Sequence, residues 1–261
     1  MRFIVVLFAV SAGLVEPLTA QWAEVLAKNI PRLPDGTPNL TAPVPRMPDG
    51  KPDLSGVYKA SNVFVTFLPK YMADLAADLP SDAVPMKPAA RALFYKRAVN
   101  IGKDLPSSHC MPPGVPMNYT TPTPFKIVQT PEVIVTLHEE PNLARQIFMD
   151  GRRLPRDPVP TWMGYSIGHW DGDVLVVESS GFNDKAWLDA SGHPHGEALR
   201  ITERYHRLSI SDLEIEITVD DPEYYEQPWS VKLHTPLQLG VEMTEYVCLE
   251  NEKDVVHLVG R

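Results

Sequence analysis

From Phe125 onward the chain alternates apolar and polar residues in short runs set apart by turn residues, and each run has the length of a strand. The runs are FKIVQT (125–130), VIVTLHEE (133–140), ARQIFMD (144–150), YSIGHW (165–170), DVLVVESS (173–180), ALRITERYHRL (198–208), LEIEITVDD (213–221), WSVKLHTPL (229–237), EMTEYVCLE (242–250) and DVVHLVG (254–260). Ten such runs predict an all-β fold. Trp170-Asp171-Gly172-Asp173 reads as a tight hairpin by its Asp-Gly pair, and Ser209 to Asp212 as a second. Consecutive hairpins favour an antiparallel meander closed into a barrel, lipocalin-like in general shape, because closure removes exposed edges. No strand–helix alternation supports a parallel sheet, and no Gly-rich phosphate loop occurs.

Upstream the pattern is different. Val57, Val63, Val65 and Phe67 predict one or two strands between Leu54 and Leu68. Short helices are predicted at Gln21 to Ile30, at Tyr71 to Leu79 and at Pro88 to Asn100, the last with proline at its first position and Gly102 at its end. Arg32-Leu-Pro-Asp-Gly-Thr-Pro-Asn-Leu-Thr41 is echoed fourteen residues later by Arg46-Met-Pro-Asp-Gly-Lys-Pro-Asp-Leu-Ser55. Each copy carries a Pro-Asp-Gly turn signal, which reads as an extended arm on the surface of the domain. Leu105 to Pro124 is proline-rich and reads as a wrapped loop. The expected organisation is a leader over 1–20, an arm over 21–53, and a barrel domain over 54–261 with a helical and loop insertion at about 69–124.

Composition sharpens this division. Of the 27 prolines only Pro194, Pro222, Pro228 and Pro236 lie beyond Pro160, so the second part of the chain is free to form a regular sheet and the first is not. The first twenty residues combine Arg2, an apolar run from Phe3 to Val15, a breaker at Pro17 and small Ala20, the pattern of a secretory signal. The run is too short for a membrane span of about 20 residues. The expected location is therefore the periplasm or the exterior. In that oxidising setting the two cysteines, Cys110 and Cys248, are expected to join the proline-rich part to the last strands, with a pair of buried free thiols as the other possibility. A net charge of −9 and no basic run longer than Arg152-Arg153 argue against nucleic acid or an anionic membrane surface as partner.

The stretch YSIGHWDGDVLVVESSGFNDKAWLDASGHPHGEALRITERYHR, with PDGKPDLSGVY upstream and DPEYYEQPW downstream, resembles a large family of exported bacterial β-rich proteins. The resemblance runs from about Arg46 to Cys248. It implies export and a β-rich fold and carries no catalytic residue over to this chain. Tyr165 stands where the family often has His, and His169 where it often has Arg.

Four groups of residues carry candidate chemistry. In His193-Pro-His195-Gly-Glu197 an extended backbone would put three side chains on one face, as a two-imidazole, one-carboxylate metal site; a polar loop and acid–base use by a histidine are the other readings. Along 198–208, Leu199, Ile201, Glu203 and Tyr205 share one face while Arg200, Thr202, Arg204 and His206 share the other, so a barrel places at least one charge inside, where it needs a partner. Arg152 and Arg153 follow a turn signal at a strand end and could hold a carboxylate or phenolate. Four tryptophans, Trp162, Trp170, Trp187 and Trp229, lie within 68 positions, near Asp184, Lys185, Tyr224 and Tyr225, as an aromatic-walled small-molecule site would require.

Together these predict a cofactor-independent acid–base enzyme, a lyase or isomerase of small aromatic or phenolic molecules. In it His195 or Glu203 removes a proton, Tyr165 or His169 supplies one, and Arg153 or Arg204 stabilises negative charge. Trp162, Trp170, Asp184, Lys185, Trp187, Tyr224 and Trp229 would form the substrate wall. The alternatives are a periplasmic binding protein for an apolar aromatic ligand, and a metal-dependent hydrolase or oxygenase at His193, His195 and Glu197.

Overall fold

The computed structural model describes residues 30–61, 63, 73–80, 82–100, 103–248 and 250. Nine strands form one sheet in chain order: β1 (Gly56–Tyr58), β2 (Phe125–Gln129), β3 (Val133–His138), β4 (Leu143–Phe148), β5 (Tyr165–Asp171), β6 (Val174–Ser180), β7 (Arg200–Arg207), β8 (Asp212–Asp220) and β9 (Trp229–Pro236). The ends of the sheet meet, with Leu237 bridging Tyr58, Gln238 donating its N–H to Val57 and Ser61 donating to His234, which makes a nearly closed barrel. Both predicted hairpins form. Asp171 pairs with Val174 across a two-residue turn led by Gly172 at φ +61°, a left-handed conformation that glycine takes without strain, and β7 passes to β8 through 208–211.

The meander has one break. β4 and β5 run parallel, Ile147 beside Ser166 and Phe148 beside Ile167, because the connection over 149–164 is long enough to return the chain to the same end. Segment 242–250 forms no strand among its described residues. The β1–β9 contact already uses the edges on which a tenth strand would pair. Run 254–260, the helix at 21–30 except Ile30, and the leader lie outside the described residues.

Among the helices, α1 (Pro88–Val99) matches expectation. Residues 73–80 make turns in place of the helix expected at 71–79; Asp74 caps its own turn by accepting the N–H of Ala76. The stretch read as a wrapped loop is more than that. It contains a 3-10 turn (Pro106–His109) and α2 (Met117–Thr120), every residue of which is buried, and it sends Tyr119 into the barrel core.

Alternation along the strands fills the interior. Phe125, Ile134, Ile147, Leu175, Ile215 and Leu233 are among the buried side chains of one core drawn from around the barrel. Cys110 and Cys248 are joined as a disulfide, tying the 3-10 turn to the irregular C-terminal segment. In the arm, Arg46 caps its own turn at Gly50 and forks onto Asp173 of the β5–β6 hairpin at 2.9 and 2.6 Å, holding the second turn against one end of the barrel. The opposite end is covered by α1. Lys87 donates its N–H to Tyr224 and its ammonium to Pro222, and Arg97 packs on Gly192. No helix among the described residues is long and apolar enough to cross a membrane.

Candidate functional site

The helix-covered end gathers the β6–β7 loop, the β8–β9 loop and the Ala73–Leu75 turn around one buried carboxylate. Asp189 is fully buried, and its Oδ1 accepts N–H bonds from Gly192 at 2.9 Å and His193 at 3.1 Å. Its Oδ2 accepts from Leu75 N at 2.9 Å and lies 2.6 Å from His193 Nδ1. One side chain thus closes its own loop and ties it to a segment more than a hundred residues earlier. The tight turn depends on Gly192, whose φ is +114° and whose Cβ, were there one, would meet Arg97 Cβ at 2.7 Å.

His193 lies beside two aromatic rings, 4.4 Å from Phe94 and 5.8 Å from Trp229 between ring centres. A second carboxylate, Asp74 Oδ1, lies 3.9 Å from His193 Nδ1. Burial, and then the charge of Asp189, pushes Asp74 up to about 6. Burial opposes ionisation of Asp189 too, but the His193 charge and the N–H bonds prevail and hold it below the ordinary carboxylate range. Burial likewise works against the His193 imidazolium and is outweighed by Asp189 and Asp74, so His193 is more basic than a free imidazole.

Ligand atoms of Asp74, Asp189 and His193 lie within 4.8 Å of one another, the one convergent set of such residues among those described. All four N–H bonds to Asp189 come from the chain itself, so the set is arranged as a hydrogen-bonded dyad with a second carboxylate beside it rather than as an open metal cage. The set expected from sequence does not assemble. Glu197 sits with Ala198 in a turn closed by Leu199 N–H to the Gly196 carbonyl and is exposed, while His193 and His195 are buried.

Beyond the dyad, Pro194 accepts the Tyr225 hydroxyl at 2.8 Å and Gly196 donates to Asp221 at 2.8 Å, joining the two loops. His195 is buried with Nδ1 3.2 Å from the Gly196 carbonyl and Nε2 without a partner among the described residues; burial lowers its basicity. The indole N–H of Trp229 is also buried without a partner among the described residues, and its ring lies 5.5 Å from Tyr225. Arg97 lies over the Trp187 ring at 4.3 Å.

The other predicted residues are dispersed. Glu203 points into the barrel, as its parity with Ile201 and Tyr205 required, and is held there by Arg145. Arg204 is on the outer face, paired with Asp171 at 3.0 Å. Tyr165 and His169 alternate with the buried Ser166 and Gly168 and so also face outward. Tyr165 accepts from Arg152 at 2.9 Å; its neighbour Arg153 is exposed. His169 and Trp170 line a cleft of about 240 Å³ under the second arm turn, with Lys51 over the Trp170 ring. Asp184 and Lys185 are exposed and Trp162 is half-buried. Trp187 and Trp229, expected to line a mouth, are 4% and 6% exposed and pack into apolar clusters, Trp229 into the main core and Trp187 against Leu105 and Met117. Sequence reasoning missed Asp74, Asp189, Phe94 and Arg97. The spacing of Asp189 and His193 at i and i+4 within a Gly-containing loop was the available signal.

Comparison of the chain with family models, with curated proteins and with solved structures found no match in any of the three.

Proposed function

We propose that the protein is an exported acid–base enzyme, a lyase or isomerase of small aromatic molecules, and that His193 carries the proton it moves. The supporting observation is a buried imidazole held at 2.6 Å by a buried carboxylate, with two aromatic rings beside it. Asp189 Oδ2 accepts from Nδ1–H and so fixes the tautomer, leaving the Nε2 lone pair as base. Nε2 takes a proton from a carbon of the substrate. The imidazolium, stabilised by Asp189 and Asp74, then returns it to a second carbon in an isomerase or to the departing group in a lyase. Phe94, Tyr225 and Trp229 receive the aromatic ring. Glu203 keeps its place in the barrel interior, and in this scheme His193 takes the role of base.

The same rings also suit a binding protein, in which the dyad only staples the loop. The many backbone bonds to Asp189 favour that second possibility. Incubation of the purified protein with a panel of aromatic ethers, alcohols and alkenes, followed by product analysis, separates the two. Turnover that falls about 10²- to 10⁴-fold in His193→Ala is expected. Turnover unchanged by that substitution overturns the assignment, and wild-type binding without turnover selects the binding protein.

A further inference from the structure

Two buried side-chain atoms at the helix-covered end, His195 Nε2 and the Trp229 indole N–H, have no hydrogen-bond partner among the described residues, and a half-buried arginine of the same end has donors to spare. His195 is 3% exposed, and with its Nδ1 proton directed at the Gly196 carbonyl its Nε2 is a buried acceptor with no donor among the described residues. Arg97, whose burial lowers its pKa to about 10, has five N–H donors and makes one hydrogen bond among the described residues, to the Gly192 carbonyl at 3.3 Å, with no carboxylate of those residues in ion-pair range. Trp229 carries a buried N–H with no acceptor among the described residues. An unsatisfied buried polar group costs about 1–3 kcal/mol, and two on adjoining segments, with the spare donors of Arg97 on a third, point to a ligand that supplies what is missing.

The segments face one another. Arg97 packs on Gly192, three residues before His195, and its charge acts on both His195 and Tyr224. The Trp187 ring covers one side of the guanidinium and leaves its edge donors. The missing partners are therefore an O–H or N–H for His195 and an oxygen for Arg97 and Trp229, in a setting of aromatic rings.

We infer that His195 and Arg97 read a phenolic hydroxyl, whose O–H donates to His195 Nε2 and whose oxygen accepts from the Arg97 guanidinium. Other groups fit less well. A carboxylate is ionised at neutral pH and brings no O–H to His195. An ammonium would be repelled by Arg97. An aliphatic alcohol leaves the rings without a stacking partner. This names the substrate class of the site proposed above and depends on that proposal only for the chemistry after binding.

Binding of p-cresol and of its methyl ether, which differ in the one O–H, tests it by quenching of tryptophan fluorescence or by calorimetry on the full chain, with benzoate as a third probe. Wild type is expected to prefer p-cresol over the ether by about tenfold or more, the worth of one hydrogen bond to an otherwise unpaired buried group. His195→Phe should reduce that preference to near unity, and Arg97→Gln should weaken p-cresol more than the ether. Equal affinity for p-cresol and ether, tighter binding of benzoate than of p-cresol, or no binding of either at millimolar concentration overturns the inference. The wild-type comparison needs no variant, so a misfolded substitution does not blunt it. Retained preference with no turnover on any aromatic compound sinks the enzyme and leaves the phenol site standing.

Discussion

Arg145 on β4 and Glu203 on β7 meet inside the barrel as a two-pronged ion pair, neither side chain more than 1% exposed. Their surroundings complete the geometry. Arg145 also donates to Ser166 at 3.0 Å, Ser179 at 2.8 Å and the Tyr119 hydroxyl at 2.9 Å, while Tyr205 donates to Glu203 at 2.9 Å. Strands β4, β5, β6 and β7 and helix α2 are thereby joined by one buried polar network inside the barrel. Because removing one partner leaves a buried charge unpaired, Glu203→Leu is expected to cost about 3–5 kcal/mol. The double change Arg145→Met with Glu203→Leu should cost less than that single one. Urea unfolding of the three proteins checks the order, and a double variant less stable than Glu203→Leu refutes it.

The disulfide closes a loop of 138 residues, from the 3-10 turn to a C-terminal segment with no strand among its described residues. That segment is otherwise held by contacts such as Asn142 Nδ2 to the Tyr246 carbonyl and Thr244 N to Glu139 at 2.9 Å. On the chain-entropy estimate, reduction or paired replacement of Cys110 and Cys248 by serine should lower stability by up to about 5 kcal/mol. Proteolysis should then begin in the segment around Val247, ahead of any cut in the barrel. Calorimetry with and without reductant, with mapping of the first cleavage products, measures both.

His138 sets an acid limit. Its Nδ1 lies 3.2 Å from the Asn118 carbonyl, while its Nε2 receives the Asn118 amide at 2.9 Å and the Thr136 hydroxyl at 3.0 Å, an arrangement that only the neutral ring satisfies. Burial, and then the charge of Arg145, lowers its pKa to about 3. Since the unfolded chain takes up that proton near pH 6.5 and the folded one does not, the contribution is complete above about pH 6.5 and is lost as pH falls toward 3. His138→Gln, which keeps an acceptor and cannot titrate, should flatten the decline of melting temperature between pH 6 and pH 4. An unchanged slope would show that other groups control it.

Strands β2 to β9 are legible in the sequence because one-sided burial imposes period two on each of them. The same parity put Glu203 inside. Its partner was not legible. Arg145 shares parity with Ile147 and so was bound to face inward, but a lone arginine flanked by Ala144 and Gln146 looks solvated until the strand's neighbours are known. The parallel β4–β5 step and the absence of a strand among the described residues of 242–250 depend on how the barrel closes, which no local pattern encodes. At the candidate site, the histidines of the β6–β7 loop and the aromatic residues of the β8–β9 loop stand out by residue type alone. Asp74, Phe94 and Arg97 reach the site from segments that read locally as turn and helix, and only the docking of α1 across the barrel end shows what they face.

Asp189 and His193 make opposite demands on pH, and that is the signature by which the dyad can be recognised. His193 is more basic folded than unfolded, so its share of stability is present in full below the ordinary imidazole value of about 6.5 and disappears as pH rises through its raised value. Asp74, raised to about 6, adds a loss of the same sign between about pH 4 and 6. Asp189, lowered, works the other way and loses its contribution as pH falls below the ordinary carboxylate range. In Asp189→Asn the imidazole should therefore become easier to deprotonate, by a unit or more in a proton NMR titration of the His193 ring. Stability at pH 6 should fall by about 2–4 kcal/mol, and by less above the raised His193 value, where the wild-type imidazolium has itself lost its charge. If turnover is found, its acid limb, which reports neutral His193, should move to lower pH in this variant while the maximal rate drops. A His193 titration unmoved by Asp189→Asn would mean that the 2.6 Å contact does not govern the basicity of the ring.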